Sequence, residues 1–452
     1  NEGNSILGGI FTSTYRNIKE EHLSFLPVSS TTGGLDFQQY WGERGYNIKI
    51  VNYFSHITGT EEAITALQVS PAHLYQRPDA EYLDLDTTRT SLSGYGGNIQ
   101  FSKSSGNLNI LAGVVWKSPG LDVNDLGYFR IGDEIMDLTW FGYNFYEPFS
   151  IFRRIHLYID QYSSWDFGGY LALVGIESGA YTRFTNFWSF EINSNINTDI
   201  RYNTYLRGGP SIIVPGGRTI YLSGSSDDRK KLIVEPSFSF QQSRYASKNY
   251  KNLGLEIEYK PFDAVNFSVE PEFFKSFNTL QYVRQLNTGD VNRYIFASID
   301  QTVFSVSLRA NLTLSPELTI QYWGQPFIAT GSYSEFKYIT NGLAENYENR
   351  FHQFTDDEIT LSGSDNVYQV SETSGLDPYT FSNPDFHISE FLSNMVIRWE
   401  YRPGSYLYAV WSQSRGGFEP DPVFDFGYDL PAIWSIKPTN VFLLKLSYRL
   451  GR

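Results

Sequence analysis

Charged side chains recur at every second position in several segments of this sequence. In the stretch 253–260, for example, Glu256 and Glu258 alternate with Leu255 and Ile257. Successive side chains of a strand point to opposite faces, so these charged residues share a face that must be in contact with water. They can form ion pairs that stiffen a hydrated wall, or they can line a path for a polar solute. The residues predicted to face this wet side are Glu235, Glu256, Glu258, Lys260, Glu270, Arg309, Arg398, Glu400, Lys445 and Arg449.

No other set of residues in the sequence predicts a reaction. None of the six histidines has the spacing of a metal-binding pair. The acidic stretches 122–125, 356–358 and 419–425 lack the D-x-D-x-D-G pattern of a calcium loop. A G-x-S-x-G nucleophile and a phosphate-binding loop are also missing. We therefore predict no catalytic, cofactor-binding or metal-binding residue. The acidic stretches are interpreted as solvated loops, the first of them within an ordered turn.

The elements that position the charged residues are strands with one apolar face. In the last segment Phe442, Leu444 and Leu446 alternate with Lys445 and Ser447. Similar alternation fills the segments 232–241, 304–313 and 394–402. This period of two indicates sheets that are apolar on one side and wet on the other.

Turn residues predict one strand register in detail. Pro403 and Gly404 form a two-residue turn. Such a turn predicts that Tyr401 pairs with Tyr406 and that Trp399 pairs with Tyr408, which would place all four aromatic rings on the apolar face.

Connection lengths alternate along the chain. Short turns are predicted near 104–107, 147–148, 224–228, 261–263, 315–316 and 403–404. Long connections are predicted at 58–90, 119–132, 197–215, 339–390 and 415–439. Outer-membrane barrels have short periplasmic turns and longer extracellular loops. The pattern therefore predicts an all-β fold, a transmembrane antiparallel β-barrel of roughly 18 strands that fills residues 1–452 as a single domain.

One helix is expected within the loop 58–90. Thr60 can cap it, Glu61 and Glu62 would lie in its first turn, and Ala63, Ile64 and Leu67 share a face.

The composition supports a location in the bacterial outer membrane. Aromatic residues make up 17% of the chain, there is no cysteine, and no apolar run is long enough for a transmembrane helix. A net charge of −14 argues against a nucleic-acid partner. The predicted barrel makes outer-membrane lipid the expected partner. Tryptophan and tyrosine near strand ends would form girdles at the lipid headgroups. The tryptophans predicted for these girdles are Trp116, Trp140, Trp188, Trp323, Trp399 and Trp411.

The first residues predict that the barrel has further strands. The segment 2–5 is typical of a hairpin turn, which implies a strand before Asn1. The chain also begins without methionine or a signal peptide, as in a mature chain or a fragment.

Seven segments carry a resemblance to a known family. They are GGIFTS (8–13), QRPDA (76–80), RTSLSGYGG (89–97), SPGLDVNDLG (118–127), QYSSWD (161–166), WEYRPGS (399–405) and the strand 442–450. Together they resemble the C-terminal barrel of large outer-membrane proteins of Bacteroidota. Members of that family typically carry an N-terminal domain similar to family 9 carbohydrate-binding modules. The resemblance implies a barrel of unknown function without catalytic residues, and it makes a glycan a candidate ligand.

Three functions compete at this point. The first is transport or reception of polar solutes or glycans through a lumen that is gated by loops. The second is a non-transporting subunit or scaffold of a larger assembly with outer-membrane or periplasmic protein partners, which the long loops favour. The third is a hydrolase assembled on the strands. We expect the first, and we do not expect an enzyme.

Overall fold

The chain forms one continuous antiparallel sheet in which neighbours in sequence are neighbours in space. The computed structural model describes residues 3–451 except 126, 289–290, 364, 374 and 420. The main sheet has 19 strands. One of these, β18, pairs only with β17 in the part of the chain that the structure describes, and the other 18 form an up-and-down meander. The prediction of an all-β antiparallel fold with roughly 18 strands is therefore confirmed.

The strands of the meander vary in length from 9 to 25 residues. They are β1 (Ser5–Tyr15), β2 (Ser29–Trp41), β3 (Tyr46–Thr58), β4 (Ser91–Lys103), β5 (Leu108–Lys117), β6 (Glu134–Phe145), β7 (Phe152–Trp165), β8 (Leu171–Phe184), β9 (Ser189–Asn197), β12 (Gly217–Ser225), β13 (Leu232–Ser243), β14 (Lys248–Phe262), β15 (Val265–Thr288), β16 (Val291–Ser315), β17 (Leu318–Ile339), β22 (Phe386–Arg402), β23 (Ser405–Glu419) and β24 (Thr439–Ser447).

The loops contain further short elements. The strands are β10 (Ile200–Tyr202), β11 (Ile212–Val214), β18 (Phe351–Gln353), β19 (Ile359–Ser362), β20 (Val367–Val370) and β21 (Tyr379–Ser382), and the helices are α1 (Glu61–Val69) and α2 (Phe426–Ser435). Three single 3₁₀ turns lie at Glu21–Leu23, Arg244–Ala246 and Tyr347–Arg350.

The connections segregate to the two ends of the sheet as predicted. One end, the short-turn end, has connections of at most six residues, such as 146–151 between β6 and β7. The other end, the long-loop end, carries the connections 59–90, 118–133, 198–216, 340–385 and 420–438. Short hairpins also occur at the long-loop end, for example between β7 and β8, so loop length alone does not identify that end.

The two faces of the sheet differ in chemistry. Leu253, Phe267 and Trp399 belong to the apolar face and are exposed. Paired residues of neighbouring strands share a face, so β14 to β17 and β22 present one continuous apolar exterior. No helix among the described residues is long and apolar enough to span a membrane. No pairing joins β1 to β24 within the described residues, so these two strands are the edges of the sheet.

The register predicted at Pro403 is wrong. Arg402 pairs with Ser405, but an irregularity follows and Trp399 then lies opposite Leu407. One extra residue in one strand of a pair moves every later side chain to the other face. Tyr406 and Tyr408 therefore lie on the polar face, opposite Glu400 and Arg398.

Two of the predicted girdle tryptophans also face the polar side. Trp140 stacks on His156, with 5.8 Å between the ring centroids. Trp323 lies opposite Arg309 and donates a hydrogen bond from its indole nitrogen to the Ser307 hydroxyl at 3.2 Å. Aromatic residues favour strands on either face, so residue type did not decide the side.

The predicted helix of the loop 59–90 is present. The Thr60 side chain accepts a hydrogen bond from the Ala63 N–H at 3.1 Å, and Ala63 and Ile64 are fully buried. The predicted turn at 2–5 begins at a residue outside those that the structure describes.

Candidate functional site

The polar face of β8, β9 and β12 to β17 lines an acidic chamber of about 410 Å³. The predicted wall residues Glu235, Glu256 and Glu270 all line this chamber. Glu191 and Glu272, which the sequence pattern did not single out, line it too. Ser, Tyr and Gln side chains complete the wall, so the chamber presents hydrogen-bonding groups with an excess of negative charge.

Few cations balance these carboxylates. Arg309 lies 3.5 Å from Glu270, and both side chains remain partly exposed. The hydroxyl of Ser225 donates to Glu235, and that of Ser268 donates to Glu270 at 3.3 Å. Since Glu235 lies directly opposite Glu256, the chamber concentrates like charges that attract cations and polar groups.

The other predicted wall residues form local pairs. Lys260 contacts Glu258 at 2.7 Å, and Asn266 donates to the same carboxylate at 2.7 Å. Arg398 lies 3.9 Å from Glu400. These pairs fit the interpretation of a stiff hydrated wall better than that of a binding site.

The last two predicted wall residues, Lys445 and Arg449, lie in different places. Lys445 lies on the polar face, with its ammonium 5.9 Å from the Tyr408 ring centroid. Arg449 lies beyond the end of β24, where its backbone N–H donates to the Ser405 hydroxyl beside the turn at Gly404. Arg449 therefore belongs to the short-turn rim and not to the chamber.

The loops of the long-loop end pack onto the polar face of the wall near its rim. Gly94 of β4 lies opposite Ser55 of β3, on the face opposite the exposed Phe54 and Tyr95. A Cβ on Gly94 would lie 1.9 Å from the backbone nitrogen of Leu121, whose side chain is fully buried. The loop 118–133 thus contacts the backbone of the wall directly, which only glycine permits here.

Buried hydrogen bonds of His73 hold the loops 59–90 and 118–133 together. His73 Nε2 lies 3.0 Å from Asp122, and its Nδ1 lies 2.7 Å from the Pro119 carbonyl oxygen. Each ring nitrogen of His73 therefore lies within hydrogen-bonding distance of an acceptor. Desolvation by burial raises the pKa of the Asp122 carboxyl, but hydrogen bonds from His73 and Asn124 outweigh it and hold that pKa below its usual value.

A second buried pair lies at the start of β6. The Arg77 guanidinium contacts Asp133 at 2.5 Å, and the Tyr82 hydroxyl donates to the same carboxylate at 2.6 Å. The other oxygen of Asp133 accepts from the backbone N–H of Phe167. Burial and the neighbouring carboxylate of Asp133 raise the pKa of Tyr82, which therefore stays a neutral donor.

Similar contacts join other loops of the long-loop end. Asp79 accepts from the Ser211 N–H at 3.0 Å and lies 3.3 Å from Arg201. Arg350, which is buried, donates to the carbonyl oxygen of Ile213 at 3.0 Å. Residues of the segments QRPDA and SPGLDVNDLG therefore contribute to one layer of loops, and Phe167, which follows QYSSWD, contacts that layer through Asp133. Sequence spacing could not reveal these pairs, because their partners are 34 to 137 positions apart.

The large antiparallel sheet, its apolar exterior and its polar interior define an outer-membrane β-barrel. Its place is the bacterial outer membrane.

Residues 73–451 match a family described as a domain of unknown function (DUF5916), and the chain belongs to that family. None of the curated proteins matches the sequence.

Several solved structures are similar in fold. A ferric enterobactin receptor (PfeA) mutant of Pseudomonas aeruginosa is 9% identical with a TM-score of 0.44, over 99% of this chain and 73% of that one. The siderophore receptor PirA of Acinetobacter baumannii is 8% identical with a TM-score of 0.43, over 98% and 73% of the two chains. PirA of Pseudomonas aeruginosa is 10% identical with a TM-score of 0.42, over 92% and 72%.

Proposed function

We propose that this protein takes up polar solutes through a lumen that its own loops gate. The observation that supports this best is an acidic chamber with an excess of carboxylates on the polar face of the wall. At the long-loop end, buried polar contacts hold the loops 59–90 and 118–133 against the same face. A purely structural wall would be expected to balance its charges, because unpaired like charges destabilise a sheet.

The proposed solutes are cationic or rich in hydroxyl groups, and glycans are the finer proposal. Carboxylates, serine hydroxyls and tyrosine rings recognise hydroxyl groups and sugar faces. The resemblance to barrels that accompany carbohydrate-binding modules supports a glycan as the ligand.

Conductance measurements test the proposal. The purified barrel is inserted into planar bilayers in KCl, and currents are recorded for the wild type and for a variant lacking residues 119–132. We expect the deletion to raise the conductance and the wild type to prefer K⁺ over Cl⁻. A deletion variant that is folded yet carries no current would refute uptake through the lumen.

One observation favours a scaffold or docking role as a second candidate. Strands β15, β16 and β17 have 24, 25 and 22 residues, whereas a membrane crossing takes about 9–11. Their outer halves project beyond the membrane and carry the small sheet β19–β20–β21. Purification in mild detergent tests this role, since a scaffold would retain a stoichiometric partner and lose it when residues 356–382 are removed.

A further inference from the structure

Helix α2 lies on the outside of the barrel wall. Its buried Ile433 packs against Ile328 and Phe391, which belong to the apolar exterior of β17 and β22. The ring of Phe426 contacts Phe304 of β16 at 5.0 Å, and the ring of Trp434 contacts Phe391 at 4.7 Å. The loop 420–438 thus leaves the rim and lies along the outer surface instead of covering the mouth.

Polar contacts fix both ends of α2. The Asp425 carboxylate accepts from the Gly427 N–H at 2.9 Å and caps the first turn. Arg415 of β23 donates to the carbonyl oxygens of Trp434 and Ile436 at 2.8 and 2.7 Å and so caps the last turn.

The exposed side of α2 carries no charge. The only charged residue of Phe426–Ser435 is Asp429, which is 1% exposed and faces His387 of the wall at 3.2 Å. Phe426, Tyr428 and Trp434 are 51%, 59% and 52% exposed. A surface helix that faces water normally carries charges on its outer side, whereas a helix that is apolar on all sides belongs in protein or lipid.

The height of α2 on the wall matches the membrane boundary. Phe391 lies 11 positions from Arg402 at the short-turn end, and a tilted strand crosses the bilayer in about 9–11 residues. The helix therefore lies where the apolar exterior ends, at the level of the lipid headgroups of the outer leaflet.

A groove of about 510 Å³ runs along the exposed side of α2. Gly427, Pro431 and Ser435 line it at helical spacing, and Glu419 lies at one end. Tyr428, Ala432 and Ile436 complete the lining, and Glu419 is the one charged residue in it, so the part of the groove away from Glu419 can take a hydrocarbon chain.

We propose that α2 is an interfacial helix that seats the barrel in the outer leaflet, with a lipid acyl chain in its groove. Three facts carry the proposal: the uncharged outer side, the aromatic residues with polar tips, and the continuity of the helix with the lipid-facing exterior. The Asp429 carboxylate faces His387 of the wall, so the one charge of the helix points away from the lipid.

Spin labels can test this because the chain has no cysteine. Tyr428→Cys and Ser435→Cys are labelled with a nitroxide and reconstituted into phosphatidylcholine vesicles. Collisions with oxygen, which enters lipid, and with a water-soluble nickel chelate are then measured by electron paramagnetic resonance. Val269→Cys on the apolar face is the lipid control, and Asp356→Cys in the loop 340–385 is the water control.

We expect oxygen-to-nickel accessibility ratios at Tyr428 and Ser435 within about twofold of the ratio at Val269. Ratios like that at Asp356 would overturn the proposal, because α2 would then lie in water. Protection from both reagents would also overturn it, because a protein and not lipid would then cover the helix.

Discussion

Gly94→Ala should open the loop layer. The added methyl carbon would lie 1.9 Å from the backbone nitrogen of Leu121 and 2.3 Å from the carbonyl carbon of Gly120. Backbone atoms cannot move aside as the end of a flexible side chain can, so the loop 118–133 must leave the wall. Overpacking of this kind costs about 1–3 kcal/mol.

The cost of the clash translates into a change of gating. If the free-energy cost of the clash destabilises only the closed arrangement of the loops, the ratio of open to closed barrels rises roughly 5- to 150-fold. The assay is conductance in planar bilayers, recorded as the fraction of time that single barrels spend open.

Gly254→Ala is the matched control. Gly254 also lies in a strand and lines the chamber, but its Cβ would meet only the side chain of Ser237. We expect this variant to gate like the wild type. The reasoning is refuted if Gly94→Ala folds, inserts and shows the open fraction of the wild type.

Three further predictions concern the charged groups. Arg77→Ala leaves Asp133 as a buried unpaired charge, which should cost about 3–5 kcal/mol and make the loop 59–90 sensitive to proteases in intact membranes; unchanged protease resistance would contradict this. Hydrogen bonds from Thr355, His352 and Thr373 outweigh burial and hold the pKa of Glu358 at about 2, against an ordinary value of 4.5. Its stabilising contribution is therefore fully present above about pH 4.5 and is lost as the pH falls toward 2, so acid should expose the loop 340–385 to an acid-active protease. Glu358→Gln should cost about 1–3 kcal/mol at pH 7 and remove most of this pH dependence. Neutralising Glu256 and Glu270 together as Gln should shift the reversal potential in a KCl gradient toward zero, and an unchanged potential would exclude these carboxylates from the ion path.

Local patterns predicted most of the fold. The alternation in segments such as 253–260 depends only on the period of a strand, and the helix at Thr60 depends on a cap and a first turn. Both kinds of signal lie within about ten residues, so they can be read without the tertiary structure.

The strand register predicted after Pro403 was wrong because of a single extra residue. The irregularity next to Tyr401 adds one residue to one strand and moves Tyr406 and Tyr408 to the polar face. No turn residue signals it, since Pro403 and Gly404 form the expected two-residue connection. The girdle prediction was also wrong for Trp140 and Trp323, which lie on the polar face. Aromatic side chains fit a sheet on both sides, so residue type alone does not decide the face.

The sequence by itself determined the class of the protein. A membrane barrel needs apolar and polar side chains to alternate every two residues along each strand, and it has short turns at one end and long loops at the other. The same repeat predicts which charged residues face the wet side. Only the tertiary structure decided that Glu191 and Glu272 join Glu256 in one chamber, that Arg77 meets Asp133, and that α2 lies outside the wall. These contacts join residues that are far apart in the chain, and their energies depend on burial and distance, which exist only once the strands are assembled.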